Sequence, residues 1–194
     1  LVNLTSNVAG TTYTWTANPS GAAITGYQAS GTSAIPVQTL LNSALIPGTV
    51  TYQIIPTSNF GPACQGTAAN YITTVNPIPS ITSSLAEAVC SAQPFNYAIL
   101  SDIPGSTFTW SRAAVAGISN PAASGTSSSI NEVLTNLTTN NIDVTYVLTP
   151  YGQAPTLCAG NPVNLIVTVR ALPQVNAGMD LTIPFGTSTT ITGT

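Results

Sequence analysis

The chain repeats itself every 94 or 95 residues, and this repeat constrains its fold more than any other feature. Residues 13–16 (YTWT) return as residues 108–111 (FTWS), 95 positions later. Residues 50–56 (VTYQIIP) return as residues 144–150 (VTYVLTP), 94 positions later. Single residues also recur at the spacing of 94, in the pairs Gly31 and Gly125, Cys64 and Cys158, and Pro79 and Pro173. Landmarks that return in the same order predict an array of similar domains.

The repeat divides the sequence into three parts. Residues 78–173 form a complete copy, residues 1–77 form a preceding copy without its first strand, and residues 174–194 form the start of a third copy. We therefore expect the chain to be a window cut from a longer protein. The junctions read VNPIP at residues 75–79 and VRALP at residues 169–173. Because proline fixes φ and removes a backbone donor, each junction is predicted to be short, extended and stiff.

The composition is poor in charge. Charged residues make up 4% of the chain, against about a quarter in typical globular proteins. Lys and His are absent, and the basic residues are Arg112 and Arg170. Two arginines cannot form the cationic surface that nucleic acids require, so nucleic-acid binding is excluded. No apolar run approaches the ~18 residues of a membrane span. A nearly uncharged surface rich in Thr favours an extracellular protein.

Apolar and polar residues alternate along several segments, as they do in strands with one buried face. Residues 144–149 (VTYVLT) show this pattern, and no segment shows the spacing of a capped amphipathic helix. In the complete copy the pattern predicts strands A, B, C, E, F and G at residues 80–85, 95–100, 107–112, 129–135, 142–150 and 162–170. A short further strand fits between C and E. This number of antiparallel strands predicts an all-β fold of tandem immunoglobulin-like sandwiches in an extended array.

Trp15 and Trp110 occupy strand C of their copies, where such sandwiches usually bury an aromatic side chain. Their alternation with small polar residues favours packing in the core. The alternative is a platform on which a carbohydrate ring stacks.

The groups that enzymes use for catalysis are scarce. Without His and Lys, the usual general bases and Schiff-base nucleophiles are missing. No two acids lie within ten residues of each other in the set Glu87, Asp102, Glu132, Asp143 and Asp180. The repeat does not preserve Asp102 and Glu132, which align with Asn7 and Gln38. We therefore expect no enzyme activity, no cofactor and no metal site.

A long phrase in the complete copy resembles a known family. Residues 107–121 (TFTWSRAAVAGISNP) and residues 144–150 (VTYVLTP) resemble the PKD-like repeats of giant surface proteins from Bacteroidota. The VCS opening at residues 89–91 and the VTV ending at residues 167–169 are similar to the same repeats. Residues 175–180 (VNAGMD) together with residues 185–188 (FGTS) look like the opening of a more typical PKD domain.

The resemblance implies an extracellular stalk of tandem β-sandwiches. Such proteins leave the cell through the type IX secretion system, and the best-known ones are the SprB-type adhesins of gliding cells. The resemblance thus implies a spacer segment of a large cell-surface adhesin for gliding motility or surface attachment. Its partners are neighbouring repeats of the same polypeptide and the secretion machinery, with surface glycans as a further candidate. The alternative is an accessory carbohydrate-binding or spacer module of a secreted polysaccharide-degrading enzyme. A structural filament without receptor contact is a third reading.

The cysteines Cys64, Cys90 and Cys158 are candidates for disulfide bonds. An internal bond between Cys90 and Cys158 would close most of the complete copy, and an oxidising exterior favours it. In an immunoglobulin-like sandwich, however, the A–B and F–G connections lie at opposite ends, more than ~20 Å apart. A disulfide joins Cα atoms no more than ~7 Å apart. The competing hypothesis is a set of staples between neighbouring copies. Cys158 would bond a cysteine upstream of Leu1. Cys90 would bond one beyond Thr194, and Cys64 one in a still earlier copy. Free thiols are the third alternative.

Overall fold

The chain folds into β-strands joined by turns and short loops. A computed structural model describes residues 1–59, 61–154, 156–175, 182 and 184–188. That part of the chain contains thirteen strands and no helix. The predicted third copy, residues 174–194, lies largely outside it.

The first repeat, residues 1–77, forms two layers. Its strands are β1 (Thr12–Pro19), β2 (Ile24–Thr25), β3 (Ser30–Thr32), β4 (Leu41–Asn42), β5 (Gly48–Thr57) and β6 (Ala69–Val75). One layer is an antiparallel sheet in the order β3-β1-β5-β6, and β2 pairs with β4 in a small second sheet. An isolated bridge between Val2 and Ile35 adds the start of the chain to this second layer.

The second repeat, residues 78–173, has the same plan with a more complete second layer. Its strands are β7 (Ala86–Cys90), β8 (Pro94–Ala98), β9 (Thr107–Arg112), β10 (Ala123–Gly125), β11 (Ser129–Val133), β12 (Ile142–Tyr151) and β13 (Val163–Arg170). One sheet has the order β10-β9-β12-β13-β7, and the other pairs β11 with β8. The pairs are antiparallel except for β7 with β13, which run parallel.

Each repeat has its own hydrophobic core between its layers. In the second repeat, the alternate residues Val144, Tyr146 and Leu148 of β12 are fully buried. They pack against Phe95 on β8 and Ile130 on β11 from the opposite sheet. The core of the first repeat is a separate cluster built from Trp15, Ala17, Ile24, Ile35, Val50, Tyr52, Ile54 and Val75. Fully burying a large apolar side chain contributes roughly 1.5–3 kcal/mol to the stability of a fold. Each core therefore stabilises its own sandwich.

The all-β prediction is confirmed, and tandem immunoglobulin-like sandwiches are the observed fold. The predicted strands B, C, E, F and G agree with β8, β9, β11, β12 and β13, and the short strand between C and E is β10. The prediction of strand A at residues 80–85 is wrong, because the regular strand is β7 at Ala86–Cys90.

A local hydrogen-bond pattern explains why the predicted strand A is displaced. Ile81 makes only an isolated bridge with Ser101. The hydroxyl of Tyr97 lies 2.7 Å from Ser83 Oγ and 2.6 Å from the carbonyl oxygen of Ser84. These bonds fix residues 83–84 where the chain passes from one sheet to the other. Regular pairing therefore starts only after this crossing.

Candidate functional site

Arg112, Glu132 and Tyr146 form a polar cluster inside the second repeat. Arg112 and Tyr146 are paired on the neighbouring strands β9 and β12, while Glu132 lies on β11 in the other sheet. Arg112 donates to the Glu132 carboxylate from Nε at 3.1 Å and from Nη2 at 2.9 Å. The Tyr146 hydroxyl donates to the same carboxylate. The cluster therefore ties the two sheets of the sandwich together.

The charges in this cluster stabilise one another. Burial acts to raise the pKa of Glu132, but the hydrogen bonds from Arg112 and Tyr146 outweigh it and hold the pKa below its ordinary value. The hydrogen bonds to Glu132 raise the pKa of Arg112. Burial and the bond to Glu132 raise the pKa of Tyr146. Arg112 is only 3% exposed. A guanidinium so enclosed and so paired is a structural element rather than a ligand-binding group.

The first repeat holds a neutral version of the same arrangement. Ala17 takes the place of Arg112, since each is the strand partner of the repeat's inward-facing tyrosine. Gln38 takes the place of Glu132, and its Oε1 accepts a hydrogen bond of 2.9 Å from the Tyr52 hydroxyl. The hydrogen bond between the layers is thus kept in both repeats, while the ion pair is not.

Two of the other acids that the structure describes, Asp102 and Asp143, serve local structure. The Asp102 carboxylate accepts a hydrogen bond from the backbone N–H of Ser80 at 2.8 Å. Asp143 accepts one from the hydroxyl of Thr168 at 2.6 Å. Asp180 lies outside the described residues. Within the described part of the chain, no three His, Cys, Asp or Glu side chains come together in a possible metal site. The described residues include no helix able to span a membrane.

The two tryptophans face inward, as predicted for core residues. Trp15 is 2% exposed, and its ring meets that of Tyr52 edge-on at 5.7 Å between centroids. Trp110 is only half-buried but packs against the core cluster of the second repeat. Each indole lies over a glycine of the adjacent short strand, Gly31 for Trp15 and Gly125 for Trp110. This close approach explains why glycine recurs at that position.

All three cysteines carry free thiols in the structure. Cys90 is the last residue of β7 and is exposed, and Cys64 is exposed in the loop after β5. Cys158 is half-buried in the loop between β12 and β13. The proposed pairings of these residues remain predictions.

The loops that contain Cys64 and Cys158 make the same backbone hydrogen bond. In the first repeat the N–H of Ser58 donates to the Cys64 carbonyl at 2.9 Å, and in the second the N–H of Gly152 donates to the Cys158 carbonyl at 2.9 Å. Corresponding residues in these bonds are 94 positions apart. The two cysteines therefore occupy equivalent places, at the F–G end of each sandwich.

The junction between the repeats brings Cys158 close to the first repeat. Asn76 Nδ2 donates a hydrogen bond of 2.7 Å to Thr156 Oγ1 across the junction. A cavity of about 340 Å³ opens beside this bond. Residues of both repeats line it, among them Leu45, Ile46 and Pro47 of the first and Gln153, Thr156 and Cys158 of the second. Sequence reasoning did not predict this cavity, because residues so distant in the chain meet only in the fold.

The comparison with protein families agrees with this architecture. A family model described as a PKD-like domain matches residues 2–79 and 87–173. The chain is also similar to two solved structures, that of Dpr11 IG1 bound to DIP-gamma IG+IG2 and that of DIP-gamma IG1+IG2. The sequence identity is 14% in both cases, with TM-scores of 0.33 and 0.34. The alignments cover 86% of this chain, and 86% and 85% of the two others. No curated protein matches the chain.

The family match covers most of the sequence and includes both repeats. It confirms the resemblance of residues 107–121 and 144–150 to PKD-like repeats. The chain belongs to the PKD-like domain family.

Proposed function

We propose that this chain is a spacer segment of a large extracellular adhesin at a cell surface. PKD-like domains are typically extracellular, non-catalytic modules, and this chain belongs to their family. In the proposal the repeats set the distance between the cell and a distal adhesive region. Export through the type IX secretion system and a role in gliding or surface attachment are part of the same proposal and rest on the sequence resemblance.

One observation supports the spacer role: the two repeats have the same scaffold, but they do not have the same charged groups. Residues 1–77 contain no Asp, Glu, Lys, Arg or His. They nevertheless form the same F–G turn and the same tyrosine hydrogen bond between layers as the second repeat. A catalytic role, or a binding role that depends on charged side chains, cannot be common to the two repeats, because the first repeat has no charged residue. What the two repeats share is the means to hold a shape.

The junction also suits a spacer. It is the short segment of residues 75–79, which contains two prolines. Each repeat encloses a separate core, so each sandwich is stabilised mainly by its own residues. An array built in this way gains length with each added repeat.

The proposal is tested on intact cells of the source organism. Antibodies against this chain should label unpermeabilised cells, and immunoblots should show a parent polypeptide many times longer than the chain. Mass spectrometry of that polypeptide should find further repeats. Deletion of the type IX secretion machinery should retain the protein inside the cell. Labelling only after lysis would contradict the proposal, and a polysaccharide-degrading catalytic domain in the same polypeptide would establish the accessory role instead.

A further inference from the structure

We propose that a disulfide bond joins consecutive repeats, from the cysteine that ends the parallel strand of one repeat to the F–G-loop cysteine of the next. Cys90 is a cysteine of the first kind, and Cys64 and Cys158 are of the second kind. The proposal goes beyond the spacer role, because it states what holds neighbouring repeats together. It does not depend on what the parent protein attaches to.

Within one repeat the two kinds of cysteine are kept apart by the length of β13. Cys90 is the register partner of Arg170, at the C-terminal end of β13. Cys158 comes before Val163, at the N-terminal end of the same strand. Seven steps of ~3.3 Å separate the two ends by more than ~20 Å. Since a disulfide spans at most ~7 Å between Cα atoms, Cys90 and Cys158 of the same repeat cannot bond without unfolding.

Between repeats the geometry is different, because the Cys158 loop faces the first repeat. Thr156, two residues before Cys158, accepts the hydrogen bond from Asn76. The offset of 94 makes Asn76 the equivalent of Arg170, the strand partner of Cys90. A cysteine that ends a parallel strand on the first repeat would thus be the partner of Asn76. It would lie at the same junction as Cys158.

The first repeat has an open edge on which such a strand can pair. β6 pairs with β5 on one side, and no other strand in the described part of the chain pairs with it. The equivalent strand β13 pairs with β7 on that side. Tyr71 on β6 is 41% exposed, whereas the equivalent Leu165 is fully buried. The occupant that fits this edge is therefore a strand and turn of the kind formed by residues 86–93.

The C-terminal end of this edge has the same asparagine hydrogen bonds as the place where the turn packs in the second repeat. Asn42 Nδ2 donates to the carbonyls of Ile46 and Val75 at 2.9 and 2.8 Å. The equivalent residue of the second repeat is Asn136. Its Nδ2 donates in the same way to the carbonyls of Asn140 and Val169, at 2.7 and 3.1 Å.

In the second repeat, the turn after β7 is hydrogen-bonded to Asn136. Ser91, which follows Cys90, is buried, and its hydroxyl accepts a hydrogen bond of 2.9 Å from the N–H of Asn136. The cavity at the junction adds space beside Cys158 for the same turn on the first repeat.

The chemistry needs a disulfide oxidant, and oxidised glutathione is sufficient. One cysteine thiolate attacks a sulfur of glutathione disulfide, which forms a mixed disulfide and releases one glutathione thiolate. The second cysteine thiolate attacks the protein sulfur of the mixed disulfide and releases the other glutathione. The two cysteines lose two electrons and two protons, and one glutathione disulfide becomes two glutathione thiols.

The test is an extended chain in which a copy of residues 78–95 precedes Leu1. This extension supplies the parallel strand, the turn and one added cysteine. The control is the same extension with its cysteine replaced by serine. Both proteins are oxidised with glutathione disulfide, alkylated and mapped by mass spectrometry without reduction. Amide hydrogen exchange at residues 71–75 reports in both proteins whether the strand has paired with β6.

We expect both extensions to slow exchange at residues 71–75. In the cysteine version, the added cysteine and Cys158 should become resistant to alkylation together, while Cys64 and Cys90 stay reactive. In the serine control, Cys158 should be reactive again. Fast exchange at β6, an added cysteine bonded to Cys64 or Cys90, or thiols that stay free would each overturn the proposal. A bond between Cys90 and Cys158 in the original chain would overturn it as well. None of these outcomes bears on where the parent protein resides, so the spacer proposal is tested separately.

Discussion

Arg112 and Glu132 form an ion pair with two hydrogen bonds that crosses from one sheet of the second repeat to the other. The first repeat has Ala17 and Gln38 in these places and keeps the same fold. Removing one member of a buried pair leaves an uncompensated charge, whereas replacing both members removes that penalty.

We therefore expect Arg112→Ala to destabilise the second repeat by about 3–5 kcal/mol. The double variant Arg112→Ala, Glu132→Gln reproduces the residues of the first repeat and should recover at least half of this loss. Chemical denaturation measures both effects, with the unfolding of the first repeat as an internal reference. A double variant no more stable than Arg112→Ala would show that the pair itself, rather than the lone carboxylate, decides stability.

Acid should weaken the second repeat through Glu132. Its pKa in the folded state lies below the ordinary value of 4.5, so its contribution to stability is complete above that value. The contribution is lost as the pH falls from there through the folded-state pKa. Denaturation curves between pH 7 and pH 2 should show this loss in the original chain. Glu132→Gln should flatten the dependence, and an equal dependence in both proteins would contradict the assignment.

Gly31→Ala should destabilise the first repeat because of its contact with Trp15. A Cβ added at Gly31 would lie 2.3 Å from Cζ2 of the Trp15 ring, so the buried indole would have to move. Overpacking of this kind costs about 1–3 kcal/mol. The matched control is Gly21→Ala, where no atom lies within 4 Å of the added Cβ. Thermal unfolding should separate the two variants, and equal melting temperatures would show that the contact has no influence.

Tryptophan substitutions should affect stability and leave glycan binding unchanged. Trp15→Ala should cost about 3–5 kcal/mol, since it removes a buried indole. Trp110→Ala should cost less, because that ring is only half-buried. Calorimetry measures both losses, and a glycan array tests binding by each folded variant. A folded Trp110→Ala protein with unchanged stability and lost glycan binding would establish the stacking platform instead.

The sequence predicted best the strands in which every second residue is apolar. Along β12 every second residue from Val144 to Leu148 is apolar, and the burial follows the same period. The sequence AEAVC of β7 is short and rich in Ala, which makes its alternation weak. Its parallel pairing with β13 depends on residues about 80 positions away, so local pattern could not reveal it.

The ion pair could not have been found from the repeat. Glu132 aligns with Gln38 and Arg112 aligns with Ala17, but residues 1–77 contain no charged residue at all. The joint loss of these two charges therefore does not distinguish them as partners, and their contact depends on how the two sheets pack. The separation of Cys90 from Cys158 was predictable because it follows from topology and strand length alone. The cavity at the junction was not predictable, since it depends on how the two sandwiches pack against each other.

The parallel pairing of β7 with β13 determines how the second repeat responds to tension. β7 lies near the start of the repeat and β13 at its end, so the chain enters and leaves this pair at opposite ends. A pull on both ends slides the two strands past each other and strains all the bonds of the pair at once. Single-molecule force spectroscopy should therefore show the second repeat opening in one step at high force, and gradual lengthening at low force would contradict this. A tether made of such domains would stay at nearly constant length under drag and give way one whole domain at a time.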